Sequence, residues 1–212
     1  EIEHDYQGTT SLEIRSDRIG RTVIIDGDRV NRLIDFIGRF PTVTLCSSDL
    51  MLLRGSPGER RRFMDLTFSV VNRTYYRALR DFHRGLAGRN RLLKNKGSEA
   101  ELSAFEKEIA KHFMVITNFR KEGLTILRDV LCKVYQGISE ADEGPDLNFR
   151  QNADCQDTEA YCRLLQDSRP RDQIIGATQR GPHRDDFYIT LRAGDAREYA
   201  SENTLPRRGC RR

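Results

Sequence analysis

Two short stretches gather the residue types that bind anions and share protons. Gly55-Ser56-Pro57-Gly58-Glu59 runs into Arg60-Arg61-Arg62 and Phe63-Met64-Asp65, and Gly181-Pro182 runs into His183-Arg184-Asp185-Asp186. Three consecutive arginines on one helical turn splay over roughly 200°, so they cannot all pack inward and at least one is left for phosphate. An arginine fork matches phosphate oxygens bidentately, which suits contact with a nucleic-acid backbone irrespective of sequence. The competing reading pairs Arg60 with Asp65 or with the part of the fold from which the helix springs. In the second stretch Gly181-Pro182 fixes a rigid turn. His183, Arg184, Asp185 and Asp186 then either pair across a junction of elements or reach a partner. Tyr75 and Tyr76 offer stacking surfaces or core positions.

Other chemistries lack their residues. A phosphate cradle of the G-x-x-x-x-G-K-[ST] type needs a lysine behind glycine, and the sequence has no Gly-Lys dipeptide. Val23-Ile24-Ile25-Asp26 has the look of a metal-holding strand end, but Gly27-Asp28 after it reads as a turn. His183-Arg184-Asp185 resembles a kinase catalytic loop, yet Thr190 stands where that loop needs a metal-binding asparagine. Cys46, Cys132, Cys155, Cys162 and Cys210 form no C-x-x-C pair, and His4, His83, His112 and His183 form no ligand pair, which argues against a zinc site or disulfide framework and for a reduced, cytoplasmic setting.

The 37% hydrophobic and 32% charged composition over 212 residues asks for a large solvated surface, as an extended helical hairpin supplies. The net charge of +4 is modest but unevenly spread. Arg54 to Lys96 holds twelve Lys/Arg against Glu59, Asp65 and Asp81, a balance of +9, and Glu140 to Asp172 holds nine acids against four arginines. That asymmetry reads as an electrostatic footprint or as an ordinary solvated helix. No apolar run is long enough to span a membrane.

Residues 1–55 read as strands around Ser11 to Arg15, Thr22 to Ile25 and Thr42 to Cys46, with an Asp26-Gly27 hairpin turn and a short helix over Asn31 to Gly38. Ser56, Pro57 and Glu59 form a capping box. A helix from there to about Lys94, bent at Gly85 or Gly88, would be roughly 55 Å long. Its stripe is Phe63, Leu66 and Val70, then Leu79, Phe82 and Leu86. Asn95-Lys96-Gly97 turns the chain. Ser98 and Glu101 cap a second helix whose stripe runs from Leu102, Phe105, Ile109, Phe113 and Ile116 to Leu124, Leu127, Leu131 and Val134. Two stripes joined by a short turn must lie antiparallel, so residues 56–136 read as a helical hairpin. Residues 137–170 read as an acidic loop with a strand at Leu147 to Arg150 and a helix from Thr158 to Gln166 ended by Pro170. Over residues 171–212, strands at Ile174-Ile175 and Phe187 to Leu191, with a turn at Ala193-Gly194-Asp195, return to the first region.

Three ordered blocks carry a resemblance. The first runs from Ile25-Asp26-Gly27 through Asp49-Leu50 to Gly55-Ser56-Pro57, Arg60-Arg61 and Phe63-Met64-Asp65. The second is Leu79, Phe82, Leu86, Arg89-Asn90 and Leu92-Leu93-Lys94. The third is Arg171-Asp172, Gly176, Thr178 and Gly181 to Asp186. From about Arg21 to Ser201 the chain resembles the RecF family of bacterial DNA-repair ATPases, relatives of the SMC and ABC-type ATPases. It departs from that family at Cys46-Ser47-Ser48-Asp49, where a Phe/Thr-Ser/Thr-Pro-Glu turn is usual, and at Gly88, where glutamine is usual. It departs again after Tyr199-Ala200, where the signature Ser-x-Gly-Gln is replaced by Ser201-Glu202-Asn203-Thr204, leaving Ser201 as a degenerate signature before a basic tail.

The resemblance implies an α+β fold: a partial ABC-ATPase-type head of mostly antiparallel strands, interrupted by an antiparallel helical arm. It implies that the full-length protein uses ATP and magnesium as a slow DNA-dependent ATPase and dimerises through its heads. It further implies binding to single-stranded or gapped DNA and action with RecR and RecO in recombinational repair and the SOS response. Arg60, Arg61, Arg62, Arg89 and Lys94 are the candidate DNA contacts, and His183, Arg184, Asp185 and Asp186 the candidate head-junction residues. The chain starts at Glu1 rather than Met and its end is out of register with the family, so it is expected to be a fragment that binds no nucleotide by itself and is not an enzyme. The alternative is a non-enzymatic helical-hairpin module for protein interaction.

Overall fold

The computed structural model describes residues 2–4, 8–16, 18, 20–30, 44, 46–139 and 143–199. The described elements are β1 (Ile2–His4), β2 (Gly8–Thr10), β3 (Leu12–Ser16), β4 (Arg21–Ile25), β5 (Asp28–Arg29), α1 (Met51–Arg54), α2 (Pro57–Val71), α3 (Arg73–Asn95), α4 (Glu99–Ile138), β6 (Asp146–Arg150), α5 (Thr158–Asp167), α6 (Arg169–Ile175), β7 (Asp186–Leu191), β8 (Gly194–Asp195) and α7 (Ala196–Tyr199). All strand pairings among them are antiparallel: β1 with β2, a β3-β4-β5 meander, and a β6-β7-β8 sheet. The mixed α+β class is as the sequence implies. The expected helix over Asn31 to Gly38 and most of the strand over Thr42 to Cys46 lie outside the described residues, as does Ser201.

Local signals act as they should. Asp26 (φ 51°) and Gly27 (φ 88°) form the two-residue turn of the β4-β5 hairpin, whose positive dihedrals match strand twist. Ser56 with Glu59 and Ser98 with Glu101 both close capping boxes. α3 and α4 then pack as an antiparallel hairpin around Lys96, which adopts the left-handed conformation at φ 52°.

The single first helix is corrected to two. Asn72 is extended (φ −138°, ψ 114°), and its side chain accepts from the Thr74 and Tyr75 N–H groups, satisfying the first-turn donors of a new helix. Upstream of it the buried face of α2 is Arg60, Met64 and Phe68, whereas Leu66 and Val70 point outward and Phe63, 36% exposed, lies at the edge with its ring 6.3 Å from that of Phe187. Gly85 and Gly88 mark no bend between two helices. They let α4 approach α3, since a Cβ at Gly85 would lie 2.9 Å from Ile109 and one at Gly88 2.2 Å from Phe105.

The core lies where α3, α4, α5 and the β6-β7 face meet: Tyr75, Phe82, Leu86, Ile109, Phe113, Tyr161, Leu165 and Phe187. Phe113 and Tyr161 stack with centroids 3.9 Å apart. Each such side chain contributes on the order of 1.5–3 kcal/mol by leaving water. Pro170 does not end the neighbouring helix: it occupies the tolerated first turn of α6. Ile174 and Ile175 belong to that helix rather than to a strand. The returning strand β7 pairs with β6 and β8 rather than with the first region, and its hairpin turn falls at Arg192-Ala193.

Candidate functional site

The two chemistry-bearing stretches meet. Glu59 accepts from the Ser56 N–H at 2.7 Å, starting α2 at that point and aiming Arg60 inward. Arg60 grips Asp186 with both fork nitrogens, at 2.8 and 2.9 Å, and donates to the Gly55 carbonyl at 2.7 Å. Its side chain is 3% exposed, so Arg60 pairs neither with Asp65 nor with outside phosphate. Arg61 donates to the Asp185 carbonyl at 2.8 Å, and burial lowers its pKa. Arg62 is exposed.

Behind this contact sits Arg120 of α4, 1% exposed. It donates to Asp65 (2.7 Å), Asp185 (2.9 Å), the Pro182 carbonyl (2.6 Å) and the Tyr75 hydroxyl (3.1 Å). Tyr75 in turn donates to Asp65 at 2.6 Å. Burial raises the Tyr75 hydroxyl pKa and lifts the Asp185 carboxyl above its ordinary range, with Arg120 opposing both. Burial alone would weaken the Arg120 cation, but Asp65, Tyr75 and Asp185 hold it above the usual guanidinium range. The free Asp185 oxygen accepts from the Asn152 N–H (2.8 Å), and Asn152 accepts from Gly181 (2.8 Å). Gly181 needs to be glycine: φ is +136°, and a Cβ would meet the Tyr161 hydroxyl at 2.1 Å.

His183 sits against Phe82 with its Nε2 2.9 Å from the Thr178 carbonyl. An N–H on Nε2 completes that bond, and burial depresses the pKa to about 4, so the ring is neutral at pH 7. Arg184 is exposed and 3.4 Å from Gln179.

A second buried cluster lies further along the hairpin. Arg89, fully buried, donates to Glu106 (3.1 Å), Asp172 (2.6 Å), the Thr178 hydroxyl (2.7 Å) and the Leu165 carbonyl (2.8 Å). Arg169 adds a fork onto Glu106, and Asn90 accepts from Thr178. As a DNA contact Arg89 is therefore corrected: every face of its guanidinium is taken inside the protein. Lys94 is exposed. Arg73, Arg77, Arg80, Arg84 and Arg91 are exposed with it, and their spacing places all six within about 100° of the α3 surface. Arg80 and Arg84 share Asp81 at 3.0 and 3.4 Å.

Arg120 and Glu106 were not singled out from sequence, although a signal exists. They occupy the 102, 106, 109, 113, 116, 120, 124 rhythm of the buried α4 face, and a charge in an apolar stripe demands an internal partner. Among the described residues no group of three or more His, Cys, Asp or Glu could hold a metal ion, and no helix is long and apolar enough to cross a membrane.

No family model matches the chain. Curated relatives do. It is 31% identical over 203 residues to the DNA replication and repair protein RecF of Herpetosiphon aurantiacus, covering 93% of this chain and 50% of the relative. It is 34% identical to RecF of Moorella thermoacetica, covering 94% and 54%. The chain thus spans about half the length of these relatives. Among solved structures, the recombination mediator protein RecF with ATPrS, in the RecFOR pathway, superposes with a TM-score of 0.81 at 25% identity, over 93% of this chain and 56% of that one. RecF with ATP gives 0.81 at 26% identity.

Proposed function

Because this chain belongs to the RecF family, we propose that it supplies the arm and arm–head junction of a DNA replication and repair protein, and that the arm binds DNA without reading its sequence. The observation that carries the DNA reading is the exposed cationic stripe of α3, Arg73 to Lys94. Arginine and lysine at this spacing follow a phosphate backbone and carry no base-edge specificity. The buried clusters around Arg120 and Arg89 have a different task, tying α2, α3 and α4 to the Gly181–Asp186 turn and to α5 and α6.

ATP and magnesium belong, in this reading, to the whole protein. The residues here do not fit a phosphate cradle, having no Gly-Lys dipeptide, and the described acids and histidines do not converge on a metal. In this reading the chain serves as a binding segment of that protein. By kinship with RecF, the full-length protein would form an ATP-dependent homodimer, engage single-stranded or gapped DNA in the cytoplasm and act with RecR and RecO in recombinational repair and the SOS response.

Fluorescence anisotropy with unrelated single-stranded and gapped DNAs tests the stripe. Replacing Arg84 and Arg91 with alanine should weaken binding to all sequences alike and reduce the slope of log affinity against log salt by about one to two units. Equal slopes for the variant and the wild type would move the DNA surface off α3.

A further inference from the structure

Between α2 and α3, joined at Asn72, lies a cavity of about 560 Å³ with mostly apolar walls. Leu66, Val70 and Leu79 form the walls, and Arg61, Arg62 and Arg80 stand at the rim. Leu66 is 58% exposed and Val70 40%, so α2 turns aliphatic side chains to water on the face opposite Met64 and Phe68. The one carboxylate in the lining, Asp65, is spent on Arg120 and Tyr75, and Arg80 is held by Asp81, so the positive charge of the opening rests on Arg61 and Arg62.

We propose that this groove docks an acidic amphipathic helix of a partner protein. The size lies within the range of pockets that enclose apolar groups. Two helices flanking an aliphatic trough provide the helix-in-groove mode of recognition, in which anchors at i, i+3, i+4 and i+7 enter the trough. The arginines select glutamates or aspartates on the partner's flanks and suppress basic competitors. A nucleic-acid strand fits less well. Strand binding without sequence preference relies on aromatic platforms, and Tyr76 is the single aromatic ring besides the two histidines along this wall. The groove shares Arg80 with the α3 stripe, whose Arg73, Arg77, Arg84, Arg91 and Lys94 lie outside it, and the variants below therefore leave Arg80 in place.

The test uses a fluorescein-labelled helical peptide with leucines at i, i+3, i+4 and i+7 and glutamates elsewhere. One control replaces the leucines with alanine, a second replaces the glutamates with lysine, and a labelled oligothymidine is titrated in parallel. The leucine–glutamate peptide should bind saturably, and each control peptide about tenfold or more weakly, the scale of losing an interface anchor. Leu66→Glu should lower peptide affinity about tenfold, with oligothymidine binding and far-UV circular dichroism unchanged. Arg62→Glu should lower it as well and flatten its salt dependence. Should Leu66→Glu alter the fold, Val70→Glu takes its place. Absence of saturation, indifference of the peptide to both apolar variants, or equal binding of all three peptides would overturn the proposal. A parallel loss of oligothymidine binding in Leu66→Glu would also overturn it and assign the groove to nucleic acid.

Discussion

Arg89→Met separates a structural arginine from a DNA contact. Arg89, Glu106 and Asp172 each have side chains 0% exposed. Methionine keeps most of the stem and removes only the guanidinium. Glu106 would retain Arg169, whose closest bond is 2.5 Å. Asp172 would retain only the Gln179 N–H at 3.1 Å among its side-chain bonds, and the Leu165 carbonyl would lose its guanidinium donor. Leaving a buried carboxylate without its cation costs about 3–5 kcal/mol, a large share of the roughly 5–15 kcal/mol that holds a typical protein together. Adding Asp172→Asn removes the stranded charge, so the double variant should be less destabilised than the two single changes together, with a coupling of about 1–3 kcal/mol. Urea unfolding followed by far-UV circular dichroism reads both quantities. A loss below about 1 kcal/mol, joined to a DNA salt slope lowered by about 0.9, would refute the burial argument and return Arg89 to the surface.

Leu86→Asp places a charge against Phe82 and Ile109 in the hairpin core and should cost several kcal/mol, on the order of losing a core leucine and burying an unpaired carboxylate; an unchanged melting temperature would contradict the packing. His183 titrates near 4 in the folded state, lowered by burial from 6.5. Its neutral ring thus contributes stability that is complete above pH 6.5 and lost as pH falls toward 4, on the order of 3 kcal/mol. His183→Gln keeps an N–H donor without the titration, so its urea midpoint should fall less than that of the wild type over that window. Parallel pH profiles would show that the ring is solvated.

What was legible in the sequence is what is decided within a few residues. Both capping boxes rest on side chains that satisfy nearby backbone, the Asp26-Gly27 turn and the Lys96 bend on residues that take a positive φ, and these formed as read. Errors arose where one residue supports two structures. Pro170 terminates a helix or begins one, and here it falls in the first turn of α6, where its missing N–H has no partner to lose. Asn72 lies in a helical rhythm but can also cap, and its two bonds to Thr74 and Tyr75 decide for the cap. The face of α2 could not be read locally. Apolar spacing favours Phe63, Leu66 and Val70, while the buried face includes Arg60, whose partner Asp186 lies 126 residues away. Pairing of β7 with β6 is equally non-local.

The same long-range pairs change the meaning of the charge asymmetry. Arg60, Arg89 and Arg120 are buried, and so are Glu106, Asp172 and Asp185, three cations balanced by three anions inside the protein. Two of those arginines come from the basic stretch Arg54 to Lys96, and Asp172 comes from the acidic stretch after Glu140. Part of the apparent footprint is thus the internal attraction of one chain segment for another. The surface share is the α3 stripe together with Arg54, Arg62 and Lys96, and the stripe sets a bound. Six phosphate contacts would give a salt slope of magnitude about 5 on duplex DNA, and Arg80 and Arg84 reach that number only by releasing Asp81. An arm that binds through α3 alone should show a slope at or below that magnitude in anisotropy titrations. A steeper slope would require cations from another face and would refute α3 as the sole DNA surface of this chain.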